Sequence, residues 1–301
     1  MERALARIAK DEQLSPQTRN DYLTAAKMFA NWMVKQKRAA RNPIAAVEPL
    51  EPDDREHRRA LEPDEAARLI AAAEAGPTMT GHDRGGNVRW EMTGQARTAL
   101  YRLACETGLR RGAIARLSVG DFDTGKESSV TVQPKANTKN RKLMTIPLRR
   151  QTADILREHL RGRLPAAPAF DMPAKWETAD MLRADLGAAR AVWIAEGATA
   201  EDRAKRAQGD FLAVVDAEAR RIDFHALRTT CGTWLDQAGV ALSVAKRVTG
   251  HTSERTLQRH YHRATDNQTR RAIEALPLVK LRATGTDDAA EQRQQPRQQP
   301  A

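Results

Sequence analysis

Tyr261 sits in the run Arg259-His260-Tyr261-His262-Arg263 and is one of only three tyrosines in the 301-residue chain. A phenol titrates near pH 10, and surrounding cations lower that value and favour the nucleophilic phenolate. A lone tyrosine is more often a packing residue with a bonded hydroxyl, so it is the ring of charge that singles this one out. His225 and Arg228, in the segment DFHALR, lie three apart and share a face if a helix begins there. An imidazole beside a guanidinium suits proton transfer at a phosphate that the arginine neutralises, although H-x-x-R alone arises often by chance. Arg110, in TGLRRG, presents a planar fork to a phosphate or carboxylate; taken alone it is a surface arginine at a helix end. His251 directly follows Gly250. Lys139 is a candidate proton donor, set against the ordinary fate of a hairpin lysine as a solvated charge. His251, His260 and His262 raise the question of a metal, but no cysteine pair, second-helix H-x-x-x-H or carboxylate cluster accompanies them, so no metal ligand set is assigned.

Charge narrows the class of partner. The chain carries 50 Lys and Arg against 39 Asp and Glu, a net charge of +11, which points to a polyanion. The distribution says more than the total. Tyr22 to Val47 holds Lys27, Lys35, Lys37, Arg38 and Arg41 with no acid, and Ser128 to Ala153 holds Lys135, Lys139, Arg141, Lys142, Arg149 and Arg150, again with no acid. Two separate one-sign patches suit a phosphate backbone gripped by two parts of the molecule. Neither stretch carries a large apolar face for a membrane surface, no run of eighteen apolar residues exists, and MERALARIAK has no apolar signal core. Two cysteines, Cys105 and Cys231, are too few for a disulfide framework and place the chain in a reducing cytoplasm.

The elements that position these residues follow from spacing and stop signals. Ser15-Pro16 opens a helix whose Tyr22, Ala25, Ala26, Phe29, Trp32 and Met33 recur at helical spacing, predicting one buried face and an end before Asn42-Pro43. Glu48 to Arg59 reads as a linker. Pro63 opens a second helix with the stripe Ala66, Leu69, Ile70 and Ala73, stopped at Gly76-Pro77; Gly81 to Trp90 reads as a loop; Gln95 to Thr107 is a helix stopped by Gly108. Ser128 to Val132 and Leu143 to Ile146 alternate as a β-hairpin with a basic tip. Helices are expected over Arg149 to Arg161, Thr178 to Glu196 and Glu201 to Ala207, with Phe211 to Val215 β-like. Ala226 to Gln237, Leu242 to Thr249, Glu254 to His262 and Asn267 to Leu276 are expected as short helices. Thr284 to Ala301 has no apolar anchor and reads as a disordered tail. The fold class is mainly α with a small β-hairpin or sheet: residues 1–47 a small helical module, 48–59 a linker, 60–282 the larger body, 283–301 the tail.

Each of the chemical residues is ambiguous alone; their order is not. TGLRRG, TKNRKLMTIPL, HALRTT, TGH and a tyrosine ten positions after that histidine resemble the tyrosine recombinase, or phage integrase, family over Arg59 to Ala275, most specifically from His225 to Tyr261. The resemblance implies a DNA breaking–rejoining catalytic fold preceded by a helical SAM-like core-binding module, closing on double-stranded DNA as a C-shaped clamp. It implies that Arg110 and Arg228 hold the scissile phosphate, and that Lys139 (with Lys135 or Lys142 as substitutes) protonates the departing 5′-oxygen. His225 relays the tyrosine proton, His251 bonds the phosphate, and Tyr261 attacks to leave a 3′-phosphotyrosyl bond. No cofactor, metal or ATP is implied. The clamp contacts are assigned to Lys27, Lys35, Lys37, Arg38, Arg41, Lys135, Arg141 and Lys142. The family acts as a homotetramer on two DNA sites, which makes Asn267 to Leu276, with Ala272, Ile273 and Leu276 on one face, the candidate exchanged helix against the alternative that it packs at home. Location follows as cytoplasmic and nucleoid-associated, and origin as a mobile element.

Two departures stand out. Ala113 occupies the place where a glutamate usually follows the first arginine by three positions. Only the latter part of the core-binding module, Ser15 to Ala46, is recognisable; either its first helices are degenerate within Met1 to Glu12 or the start is truncated. The rival classes are a topoisomerase that uses the same side chains to relax supercoils, and a non-catalytic DNA-binding relative. The short N-terminal module and the complete set of six chemical positions argue against each in turn.

Overall fold

The computed structural model describes residues 15–51, 58–134 and 143–250, and the chain divides into two compact units. The expected helices at Glu254 to His262 and Asn267 to Leu276, the tail, and the basic hairpin tip lie outside the described residues.

The first unit holds residues up to Arg59 together with Val215–Arg221. Its helix α1 (Pro16–Lys35) begins where the sequence predicts: the Ser15 side chain accepts from the Thr18 N–H at 3.2 Å and proline opens the first turn. Leu23 and Arg19 are buried, Ile44 is buried nearby, and Asn20 exchanges 2.8 Å bonds with both the N–H and the C=O of Leu50. The expected buried aromatic face is not observed. Tyr22, Phe29 and Trp32 are 46%, 62% and 44% exposed, the Phe29 and Trp32 rings stack at 5.8 Å, and the Arg38 guanidinium lies 5.3 Å over Trp32. Helical periodicity marks a face able to be buried; it does not supply the partner. The Val215–Arg221 loop closes on Asp216, whose carboxylate accepts from the backbone of Glu218 and Arg220 and from Arg220 Nε. Arg221 pairs with both Val215 and Arg58.

The second unit is built around α3 (Gly94–Thr107), buried on nearly every side, as a helix packed all round must be. Against it pack α2 (Pro63–Ala75), α5 (Arg150–Leu160) and α8 (Ala226–Gln237). Outside these lie α6 (Lys175–Ala195), α7 (Ala200–Gln208) and α9 (Leu242–Thr249), with a single turn, α4 (Arg111–Ile114), after α3. Leu69, Leu100, Leu103, Ile114, Leu156 and Leu182 form the centre of one continuous core. The start of the unit is pinned to α8, since Leu61 N–H donates to the Thr230 hydroxyl and Leu61 C=O accepts from the Trp234 indole.

The basic hairpin forms as expected. Strands β4 (Ser129–Val132) and β5 (Met144–Pro147) pair antiparallel beside the short β3 (Phe122–Asp123), burying Val130, Val132 and Ile146 while the Thr131 and Thr145 hydroxyls bond on the other face. A second hairpin replaces the loop expected over Gly81 to Trp90: β1 (Met79–His82) pairs with β2 (Val88–Met92). The turn signals there are real, because Asp83 caps the tip by accepting from Gly85 and Asn87. The strands flanking it are too short to show alternation, and Gly81 is needed where an added Cβ would fall 2.0 Å from the Trp90 indole nitrogen. Phe211 to Val215 is the converse error. Apolar residues suggested a strand, but buried Leu212 is in the left-handed region, its N–H held at 2.6 Å by the buried Glu65 carboxylate, and only Val215 makes a bridge.

Candidate active site

Two Thr-Gly pairs of the sequence build the same local structure. At the end of α3 the Thr107 hydroxyl donates back to Leu103 C=O, and Gly108 turns left-handed with φ 60° to stop the helix. At the end of α9 the Thr249 hydroxyl donates back to Ala245 C=O, and Gly250 does the same with φ 64°. Glycine is required at both, since a side chain in that region is strained. Beyond the first turn comes Arg110, partly exposed and extended, whose C=O accepts the Ala113 and Ile114 N–H groups of α4; directly beyond the second comes His251.

Arg228 joins the two turns. It lies in the first turn of α8, 2% exposed, and its Nη1 donates to Gly108 C=O and, at 2.6 Å, to Thr249 C=O. An added Cβ on Gly108 would come within 3.2 Å of Cys231 Sγ and 3.4 Å of Thr249 Cγ2, so the turns and α8 are in van der Waals contact. Three stretches widely separated in sequence, TGLR, HALRTTC and TG before His251, therefore meet at one guanidinium. His225 stands at the exposed start of α8, where its C=O accepts from Arg228 N–H at 3.0 Å. A buried cation here places fixed positive charge beside the turn that carries Arg110, an arrangement suited to an oxyanion.

The structure also separates the neighbouring arginines. Arg111 is committed to the scaffold, its Nε donating to the Thr178 hydroxyl of α6 at 3.1 Å. Ala113, in the place of the family's usual glutamate, packs against the core. Lys139, His251 and Tyr261 lie outside the described residues, as do Lys135, Arg141 and Lys142. In the first unit Lys35, Lys37, Arg38 and Arg41 are exposed, whereas Lys27 donates to Ala45 C=O at 2.9 Å. Sequence reasoning overlooked Thr107 and Thr249, for which the repeated Thr-Gly pair was the available signal.

Both cysteines flank this cluster, and burial pushes each thiol up to about 12. At pH 8 only about one molecule in 10⁴ then carries a thiolate. Titration with a chromogenic disulfide at pH 8 is expected to find no reactive thiol in the native protein and both after unfolding in guanidinium. A fast native reaction would show that α8 opens away from α3.

The sequence fits the family model described as the phage integrase family over residues 59–268. Three solved structures share the fold at low identity. The Tn1549 transposon integrase in complex with a circular intermediate DNA aligns with a TM-score of 0.59 and 16% identity, over 90% of this chain and 83% of that one. The XerH site-specific recombinase bound to a palindromic difH substrate gives 0.57 and 14%, over 90% and 69%. A lambda integrase dimer bound to a COC′ core site gives 0.54 and 15%, over 93% and 65%. No curated protein sequence matches the chain.

Proposed function

The chain belongs to the phage integrase family of tyrosine-type site-specific recombinases, and from that premise we propose that it cuts and rejoins double-stranded DNA through a covalent 3′-phosphotyrosyl intermediate at Tyr261. The observation that carries this reading is the junction at Arg228, which draws the Arg110 turn and the turn before His251 to one buried guanidinium. Arg110 and Arg228 hold the non-bridging oxygens of the scissile phosphate and counter the charge that builds in the pentacoordinate transition state. His225 accepts the phenolic proton, His251 donates to the phosphate, and Lys139 protonates the 5′-oxygen as it leaves. The phosphotyrosyl bond conserves the energy of the broken phosphodiester, so rejoining to a new 5′-hydroxyl needs no ATP and no metal.

The wider assembly follows the same reading. Lys35, Lys37, Arg38 and Arg41 contact the DNA backbone, with Lys135, Arg141 and Lys142 contributing from the second unit; Lys27, already bonded to Ala45, contributes least. Four copies act on two sites and exchange helix Asn267 to Leu276.

The test is covalent capture. Nicked duplexes from the ends of the mobile element that carries the gene are incubated with the full chain, without metal or ATP, and resolved on a denaturing gel. A retarded band whose digest places the nucleotide adduct on Tyr261 is expected. Binding with no adduct would favour a non-catalytic relative, and relaxation of supercoiled plasmid without site preference would favour a topoisomerase.

A further inference from the structure

The scaffold claims only one of the five N–H groups that Arg111 carries. Its Nε donates to the Thr178 hydroxyl at 3.1 Å, and that fully buried hydroxyl is spent in turn on Ala174 C=O at 2.9 Å. Thr178 thereby fixes the plane of the guanidinium. The two terminal nitrogens make no bond among the described residues, and neither is cut off from solvent. Burial alone pulls the Arg111 pKa below the usual arginine value, with no carboxylate to oppose it.

Three other half-buried arginines of the second unit show the contrast. Arg190 donates to the carbonyls of Ala207, Gly209 and Phe211, and Arg163 to those of Pro168 and Ala169. Arg206 donates to Trp193 C=O and pairs with Asp202. The acids at the start of α6 are already taken: Glu177 accepts from Arg89 and from Ala174 N–H, and Asp180 pairs with Arg183. A guanidinium drawn partly out of water, held in one plane and given no counter-ion is arranged for an anion that the chain does not supply.

Its place says which anion. Arg111 opens the single turn α4 directly after Arg110, whose own turn is joined to Arg228. A nucleic-acid strand carries one charge per nucleotide, so a strand with one phosphate at Arg110 runs its neighbours past the adjoining residue. Lys175, at the start of α6 three residues before Thr178, is exposed and adds positive charge on that side.

We propose that Arg111 is a DNA-contact residue: the open edge of its guanidinium takes a backbone phosphate beside the scissile one on the same strand. This rests on the strand cleavage proposed above. Arg110 and Arg228 hold the phosphate that reacts, and Arg111, tethered to α6, holds a neighbour that does not. Such a contact reads no base, but it fixes the register of the strand and so which phosphate lies at Arg110.

The experiment replaces the phosphates of the bound duplex one at a time by uncharged methylphosphonate and measures binding by the full chain. One replacement beside the cleavage position is expected to weaken the unmutated protein about tenfold. Arg111→Met keeps the stem and removes the guanidinium. It is expected to weaken binding to the ordinary duplex by a similar factor and to lower the slope of affinity against salt by about one phosphate contact. That same replacement is then expected to cost the variant less than about twofold, while the other positions keep their effects. An arginine that only supports the fold would leave the pattern of the scan unchanged. Thr178→Val keeps the cation and frees its plane; it is expected to shrink the effect at the same phosphate, and it serves if Arg111→Met does not fold. A scan identical in the variant and the unmutated protein, or one with no sensitive phosphate beside the scissile position, overturns the proposal. A duplex that is bound and never forms the Tyr261 adduct overturns instead the reading of strand cleavage, and the same scan still decides whether Arg111 holds a phosphate.

Discussion

Tyr261→Phe is expected to abolish covalent capture, taking the adduct below detection while leaving duplex binding within about twofold, because a phenyl ring keeps the shape and surface of the side chain and loses only the attacking oxygen. The cations proposed to contact phosphates are unchanged in this variant, so binding and its salt dependence are expected to persist. The informative comparison is between the two readouts on one DNA fragment. Loss of both would mean that the phenol hydroxyl helps to hold DNA or the fold. Survival of the adduct would move the nucleophile to another side chain, with Tyr22 and Tyr101 the remaining tyrosines. Tyr101 is a poor substitute: it is fully buried, its hydroxyl donates to Asp185 at 2.7 Å, and burial, reinforced by that carboxylate, holds its phenol well above the usual range.

Arg97→Met is expected to cost the second unit about 3–5 kcal/mol, the usual penalty for stranding one member of a buried ion pair. Arg97 and Asp185 are 0% and 2% exposed and meet at 2.9 Å, and Arg97 also donates to the carbonyls of Ala73, Pro77 and Met92. One side chain therefore closes the end of α2, the base of the β1–β2 hairpin and the seat of α6. Methionine fills the volume but leaves a buried carboxylate and three carbonyls without their donor. Set against a typical total of about 5–15 kcal/mol, this brings the unit near its midpoint. The pH dependence has a definite sign. Burial already pushes the Asp185 carboxyl up, against the pull of Tyr101 and Arg97, and without Arg97 it rises further. A carboxyl raised in the folded state gives stability that is fully present below its unfolded pKa and lost as pH rises through the folded value. Urea melts of the variant should accordingly show a smaller deficit at pH 5 than at pH 8, and Asp185→Asn added to Arg97→Met should flatten that difference. A pH-independent loss below about 1 kcal/mol would show that water or relaxation has replaced the arginine.

The fold was largely legible where one local signal settles the outcome. Ser15-Pro16, Pro63 and Gly108 start or stop helices by their own backbone chemistry, and α8 and α9 run over the expected residues, Ala226–Gln237 and Leu242–Thr249. It was illegible where the outcome depends on a distant partner. Periodicity in α1 cannot reveal that Tyr22, Phe29 and Trp32 stay solvated, and nothing near Leu212 announces the Glu65 carboxylate that holds its N–H in a left-handed turn. The site divides in the same way. Residue type and order single out Arg110 and Arg228 as candidates, whereas the contacts that bring the Arg110 turn to Arg228 run through Gly108 and Thr249 carbonyl oxygens, which every sequence possesses and no motif can display.

The bond from Arg228 to Gly108 spans 120 positions, and that from Thr230 to Leu61 spans 169. Contacts of such span form late, after most of the loop-closure entropy has been met. A ribosome that has released Arg110 has still to synthesise the guanidinium that secures its turn, and the tyrosine comes later still. A nascent or truncated chain that ends before Arg228 therefore lacks the side chain that bonds Gly108 C=O in the Arg110 turn.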